Sequence, residues 1–157
     1  MFKQVKPQYS LTWIEKIAEI PKPVWDNLAT PLKTPFLEWE WLNNIETSGS
    51  VTPRTGWQPC HLTVWREKQL IAAAPLYIKG HSYGEFVFDH QWADLSHRLG
   101  ISYYPKLLGM TPFTPAVGYR FLIAPGEQEE EITKIMVAAI DNFCLKNKLS
   151  GCNFLFV

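Results

Sequence analysis

The residues best suited to chemistry lie together in one stretch, from His81 to Arg120. This stretch holds three of the four histidines and a dense mixture of polar and aromatic side chains. Glu85 is a charged residue inside an aromatic segment, and Tyr83 and Asp89 flank it. If their common face lines a cavity, partial burial would raise the pKa of Glu85 towards that of a general base. Glu85, Tyr83 and Asp89 are therefore candidate catalytic residues. The alternative is that this face is solvated, or that Asp89 merely caps a helix.

The histidines do not have the spacing of a metal site. His90 and His97 share one face of a predicted helix, but the helical rise separates them by about 10 Å, too far to share one ion directly. No set of histidines and cysteines shows the spacing of a zinc site. We therefore expect no metal.

The chain has three cysteines, and their spacing shows no paired pattern. Their odd number argues against a disulfide framework, and free cysteine is commonly buried as a small apolar residue. Cys60 adjoins His61, but neighbours on a strand point to opposite faces, which disfavours a nucleophilic pair. We expect buried structural thiols at Cys60, Cys144 and Cys152.

Composition sets broad limits on the function. The chain has 157 residues, of which 46% are apolar and 19% charged, as in one globular domain. Its formal net charge is zero, which argues against a general DNA or anionic-membrane binder, since these carry a basic excess. The N-terminus lacks the apolar segment of a signal peptide, and no run approaches the ~18 apolar residues of a membrane span. A cytoplasmic location is expected.

Periodicity predicts a mixture of strands and helices. Two-residue alternation predicts strands, and three-and-four spacing predicts the long last helix, which has acidic residues at its start and lysines near its end. Pro75 predicts a bulge or local edge, because proline cannot donate to a sheet. The predicted strands are 4–14, 60–65, 70–78, 83–88, 103–110, 119–123 and 152–157. The predicted helices are 23–28, 35–46 (capped by Thr34), 90–99 (capped by Asp89) and a last helix that starts among Glu127–Glu131 and is closed by Gly151.

Two predicted loops are candidate binding segments. Residues 51–59 contain two prolines and a glycine and are predicted to be an exposed loop. Residues 111–118 are too rich in proline for regular structure and precede the last helix. Enzymes of the GNAT fold bind the pyrophosphate of acyl-CoA near such a position through backbone N–H groups. Here prolines at 112 and 115 lack that donor, so a rigid loop closing the sheet is the alternative.

Four long segments carry a specific pattern: PFLEWEWLNNIETSGSV (35–51), RTGWQPCHLTV (54–64), AAAPLYIKGHSYGEFVFDHQWA (72–93) and YYPKLLGMTPFTPAVGYR (103–120). The most specific motifs within them are HSYGEFVFD and PFTPAVG. With these segments the chain resembles the FemAB-like family of peptidoglycan biosynthesis or recognition proteins, whose fold is related to the GNAT acyltransferases. The resemblance covers most of the chain from about residue 10 onward.

This resemblance implies an α/β (α+β), GNAT-like fold, with a mixed, mostly antiparallel sheet and helices on both faces. It implies N-acyl or aminoacyl transfer to an amine, with an acyl-CoA or an aminoacyl donor as co-substrate. Such a reaction needs a general base and an oxyanion donor, and Glu85, Tyr83 and Asp89 are the candidate bases. The candidate substrate-binding residues are Arg54, Trp57, His81, Tyr104, Thr114, Gly118 and Arg120.

Members of the resembled family are about twice as long, with a second GNAT-like half. Residues 1–157 are thus expected to be one GNAT-like domain that corresponds to the N-terminal half. An unpaired last strand would invite a homodimer by edge pairing. Two other functions remain open: an inactive half-protein that needs a partner chain, and a non-catalytic module that binds a glycan or peptide through Trp57, Tyr83, Trp92, Tyr103 and Tyr104.

Overall fold

The computed structural model describes residues 9–157, with four α-helices and eight strands in that range. Short 3-10 turns lie at Ile17–Glu19, Thr30–Leu32, Pro35–Leu37 and Pro53–Thr55. The helices are α1 (Lys22–Ala29), α2 (Trp39–Thr47), α3 (His90–Arg98) and α4 (Glu129–Lys146). The strands are β1 (Tyr9–Ile14), β2 (Trp57–Pro59), β3 (His61–Arg66), β4 (Gln69–Ala74), β5 (Tyr77–Lys79), β6 (Lys106–Gly109), β7 (Leu122–Ile123) and β8 (Cys152–Phe154).

One long bent hairpin links the two sheets. Its first arm is β2 followed by β3, and its second arm is β4 followed by β5. The arms pair antiparallel along both parts, and Cys60 N–H donates to the Leu76 carbonyl at the bend. Pro75 lies at the break in the second arm, because it has no N–H for a sheet ladder. The predicted interruption at Pro75 is confirmed, and the single predicted strand 70–78 is two strands in two sheets.

The sheets are mixed but mostly antiparallel. Their strand orders are β1-β3-β4-β7 and β2-β5-β6-β8. One described pair, β6 with β8, is parallel, and α4 lies between these strands in the chain. A helical crossover is the usual connection between parallel strands. The predicted mixed α/β class with mostly antiparallel strands is confirmed.

Helices cover both faces of the first sheet. On one face, Ala73 belongs to a buried cluster with Trp25 of α1 and Leu42 of α2. On the other face, Leu62 and Ala72 pack in a cluster with buried residues of α4. Alternation along the strands places these side chains on opposite faces. The buried residues of α4 are Ile132, Met136, Ile140 and Cys144, as the helical spacing predicts.

The last strand is shorter than predicted, and it is paired. β8 lies beside β6, and the Leu155 N–H continues the pairing to the Gly109 carbonyl. Gly118 and Tyr119 N–H groups both donate to the Phe156 carbonyl. The expectation of an unpaired terminal strand is therefore wrong, because β6 provides its partner. The homodimer stays a prediction.

Several predicted element boundaries differ from the structure. The helix expected from Pro35 is a 3-10 turn followed by α2, and the Thr34 side chain does not cap it. The strand expected from Tyr103 begins only at Lys106. The expected loop 51–59 ends in β2, and its Trp57 is 1% exposed. The part of the first predicted strand before Tyr9 lies outside the described residues.

The largest error concerns the predicted strand 83–88, which is a turn followed by irregular chain. Gly84 and Phe86 have positive φ angles of 81° and 57°. These left-handed residues break the two-residue alternation of a strand. Tyr83 is consequently 70% exposed, whereas Glu85 is fully buried. The two side chains do not share a face.

Candidate functional site

Two buried lysines form the base of the site. Lys79 on β5 and Lys106 on β6 are direct register partners across the second sheet. They are 0% and 3% exposed, respectively. Charged lysine is rarely buried without a partner, because removing the ammonium from water is costly. Opposite charges must therefore lie nearby.

The irregular chain after β5 supplies those charges. Lys106 Nζ lies 2.8 Å from Glu85 Oε2 and 3.2 Å from Asp89 Oδ2, and Lys79 Nζ lies 3.9 Å from Glu85 Oε1. Ser82 Oγ donates to Asp89 Oδ2 and accepts from Lys106. These five residues form what we call the charged cluster. Asp89 precedes α3, but its side chain does not cap that helix; the capping prediction is wrong because the carboxylate is engaged by the cluster.

Two tyrosines close the cluster on one side. The Tyr103 hydroxyl donates to Asp89 Oδ2 at 2.9 Å, and the Tyr104 hydroxyl lies 2.7 Å from Ser82 Oγ. Burial and the hydrogen bond to Asp89 raise the pKa of Tyr103 to about 12. Tyr103 is therefore a hydrogen-bond donor rather than a phenolate at neutral pH.

The cluster shifts the pKa values of its members in different directions. Burial raises the pKa of Glu85, and the lysines only partly offset this. Burial would also raise the pKa of Asp89, but hydrogen bonds from Ser82, Tyr103 and Lys106 outweigh it and lower the pKa. Burial lowers the pKa of Lys79 to about 8. Groups with such opposed shifts beside a cleft are characteristic of functional sites.

Two carboxylate oxygens of the cluster have spare hydrogen-bonding capacity. Glu85 Oε1 and Asp89 Oδ1 are buried and have no hydrogen-bond partner among the residues that the structure describes. A buried acceptor without a donor is costly. Each oxygen is thus available to a donor from a ligand.

A surface cleft of about 450 Å³ adjoins the cluster. Lys79 Nζ lies 3.6 Å from the centre of the Trp57 ring and donates to the Tyr83 carbonyl at 3.0 Å. Trp57 and Tyr83 both line the cleft, so they separate it from Lys79. The remaining lining residues are Ser50, Thr55, His81, Gly84 and Phe113.

His81 anchors one wall of the cleft. Its Nδ1 accepts from the Tyr83 N–H at 3.1 Å, which makes Nε2 the protonated nitrogen that donates to the Thr55 carbonyl. Gly56 lies directly against the ring, and a Cβ there would overlap Nε2. Both ring nitrogens are thus engaged in holding segments together.

The other predicted binding residues are spread over the surface. Arg54 and Arg120 are exposed, and Arg120 lines a different cleft beside the start of α4. Thr114 donates to the Pro112 carbonyl within its own loop. The Gly118 N–H is bonded to Phe156, so it is not free for a phosphate. Of the predicted site residues, Glu85 and Asp89 belong to the charged cluster and Tyr104 contacts it. Tyr83, His81 and Trp57 line the cleft. Arg54, Thr114, Gly118 and Arg120 lie outside both.

Sequence reasoning missed both lysines, Ser82 and the role of Tyr103 in the cluster. A signal for the lysines was present, because Lys79 and Lys106 each stand within an apolar strand-like run. A charge in such a run predicts a buried ion pair.

Away from the charged cluster, Glu46 and His61 form a pair that holds parts of the fold together. His61 Nε2 lies 2.9 Å from Glu46 Oε1, and Nδ1 accepts from the Leu76 N–H. Glu46 Oε2 accepts from the Ile17 N–H. This pair connects α2 to the bent hairpin. With both ring nitrogens bonded, His61 has no free nitrogen for a substrate.

No group of three or more metal-ligating side chains converges within residues 9–157. Within the same range, no helix is long and apolar enough to cross a membrane.

The chain belongs to the FemAB-like family of peptidoglycan biosynthesis/recognition proteins, whose family model matches residues 16–157. Searches of curated proteins and of solved structures found no significant match. The family assignment therefore connects the chain to peptidoglycan.

Proposed function

We propose that this chain transfers an acyl or aminoacyl group to an amine of a peptidoglycan precursor, with Glu85 as the proton acceptor. The observation that carries the proposal is the unpartnered Oε1 atom of Glu85, buried between two lysines. The raised pKa of this carboxyl, caused by burial, makes it a stronger base than an exposed glutamate.

In the proposed step, the acceptor amine nitrogen attacks the carbonyl carbon of the donor. A new amide bond forms as the bond to the leaving group breaks. The proton lost by the amine passes to Glu85, and the leaving group takes a proton from solvent. The ammonium groups of Lys79 and Lys106 lie close enough to the carboxylate to stabilise negative charge that develops beside it.

Either an acyl-CoA or an aminoacyl compound is proposed as the donor. The first turn of α4 contains Glu129, Glu130 and Glu131. Such carboxylates oppose the binding of a pyrophosphate at this helix end. The donor is therefore expected to bind on the side of the aromatic cleft.

The test is an assay of transfer from labelled acyl-CoA and aminoacyl donors to peptidoglycan peptides that carry a free amine. Glu85→Gln should lower turnover by ~100-fold or more, because the amide cannot accept the proton. Glu130→Gln is the matched control, since it removes an exposed carboxylate from a surface pair. Full turnover in Glu85→Gln would remove the residue from this role.

Recognition without transfer is the second candidate function. Tyr83 and Phe113 line the cleft and are 70% and 43% exposed, so their rings are accessible to a glycan or peptide. In this case Tyr83→Ala should weaken the binding of a peptidoglycan fragment, whereas Glu85→Gln should not. Calorimetric titration of both variants separates the two functions.

A homodimer through the outer edge of β8 is a further part of the proposal. In the described part of the chain, β8 is the last strand of its sheet, and an open edge can pair with another copy. Light scattering at micromolar protein should give the mass of a dimer. A monomer would exclude this association.

A further inference from the structure

The segment between Gly80 and Gly100 has inverted polarity. Its buried residues are Ser82, Glu85 and Asp89, all of them polar. Every residue of α3, which lies inside it, is at least partly exposed. The large apolar side chains point outward instead, at Tyr83, Phe86, Phe88, Trp92, Leu95 and Leu99.

The attachment of this segment is therefore mainly polar. Ser82, Glu85 and Asp89 bond to Lys106, and the Tyr83 carbonyl accepts from Lys79. Apolar burial normally fixes a segment to a domain, because it is the dominant favourable term in folding. A segment held by a few charged contacts can separate from the body at lower cost than a packed one.

Glycines stand at both ends of the segment. A Cβ at Gly80 or at Gly100 would meet nothing within 4 Å, so the chain has room to move there. Gly100 also has a positive φ of 69°. Small residues in open surroundings are suitable hinges, because they can absorb a change in φ and ψ.

The charged cluster needs such a movement. Glu85 and Lys79 are both 0% exposed. The segment carries Glu85 and places the Tyr83 carbonyl against the Lys79 ammonium, while Trp57 of β2 lies on another side of that ammonium. A substrate in the cleft is separated from Lys79 by Trp57 and Tyr83. We infer that residues 81–99 form a lid that carries Ser82, Glu85 and Asp89 and closes over Lys79 and Lys106. The two lysines hold this lid closed, and it must open to admit the substrate.

The role of the lid in admitting substrate rests on the proposed function. The test of lid opening requires no transfer activity. The full chain is treated with N-hydroxysuccinimidyl acetate under native conditions, and acetylation of each lysine is followed by mass spectrometry. Lid opening uncovers Lys79, whereas local unwinding of α3 does not. Lys79 should be acetylated faster than global unfolding allows, and more slowly than the exposed Lys134.

The decisive variant is Asp89→Asn. It removes a charged partner from Lys106 and Tyr103, and Asp89 is not among the groups that shift the pKa of Lys79. A hydrogen bond to a charged group is strong enough that its loss should raise Lys79 acetylation about tenfold or more. Glu130→Gln should leave Lys79 acetylation unchanged. Hydrogen exchange in α4 should keep its wild-type rate, since α4 is not part of the lid.

A second measurement uses the unmodified chain, in case Asp89→Asn does not fold. Added salt stabilises the charges that opening exposes, so it should increase the acetylation of Lys79 relative to Lys134. The inference is overturned if Lys79 is acetylated only as fast as the whole chain unfolds. It is also overturned if Asp89→Asn speeds amide hydrogen exchange equally in the lid and in α4. If Lys79 is uncovered as expected but no transfer occurs, the proposed function fails and the lid remains.

Discussion

Lys79 and Lys106 face each other across β5 and β6 as direct register partners. Side chains at opposed positions of neighbouring strands lie on one face, and like charges there repel. Both lysines are buried, so water does not screen this repulsion. Glu85 and Asp89 balance the two positive charges. The carboxylates are thus required for the fold as well as available for chemistry.

Lys106→Met should strongly destabilise the fold. The substitution leaves Glu85 and Asp89 as buried carboxylates without their shared ammonium partner. Removing one side of a buried ion pair costs about 3–5 kcal/mol. Urea unfolding followed by tryptophan fluorescence would measure this loss. Lys134→Met, in an exposed pair with Glu130, should change the free energy of unfolding by less than about 1 kcal/mol.

Lys79 should give the fold a distinct dependence on pH. Burial lowers its pKa to about 8 from the ordinary 10.5. Between these values the unfolded state binds more protons, so stability rises with pH through this window and is lowest below about pH 8. The measurement compares the free energies of unfolding of the wild type and of Lys79→Met. The wild-type value minus the variant value should rise by about 1–3 kcal/mol across this pH window. A flat difference in urea titrations would contradict the lowered pKa.

Gly56→Ala should disrupt the wall of the cleft. Gly56 has a φ of 78°, and an added Cβ would overlap the His81 ring. We expect a loss of about 2–3 kcal/mol in thermal or urea unfolding, together with a lost His81–Thr55 hydrogen bond. Gly49→Ala is a close control, since Gly49 has the same φ of 78° but nothing within 4 Å. That variant should lose only about 1 kcal/mol; equal losses would show that backbone strain alone matters.

The cysteines should be unreactive in the native state. Burial raises the pKa of Cys60 and of Cys152 to about 12, and burial also raises the pKa of Cys144. Since the thiolate is the nucleophile, iodoacetamide at about pH 8 should modify none of them until the chain is unfolded. Rapid native alkylation of Cys60, read by mass spectrometry, would restore it as a candidate nucleophile.

The sequence predicted the scaffold better than the site. Ile132, Met136 and Ile140 repeat at helical spacing because one face of α4 packs on a sheet. Pro75 interrupts the second arm of the hairpin as predicted, since its missing N–H is a local property. Such features depend on periodicity or on one residue's chemistry, and they can be read directly from a single chain.

The charged cluster depends on long-range contacts instead. Lys106 lies far along the chain from Glu85, so no local sequence pattern predicts the contact between the two side chains. Strand periodicity placed Tyr83 beside Glu85, but the positive φ of Gly84 and of Phe86 turns the two apart. Glycine permits that conformation without requiring it. Glu85 and Asp89 were identified as candidates from their residue type, whereas their lysine partners required the fold.

The bent hairpin has a consequence for the order of assembly. Its two arms are joined by a tight turn at Glu67 and Lys68, yet together they contribute strands to both sheets. Short loops close with little loss of entropy, so this unit can form early and present an edge to each later strand. β8 can pair only after the chain has passed through α4. The folding nucleus is therefore expected in the hairpin, with closure of the second sheet by β8 as the last step.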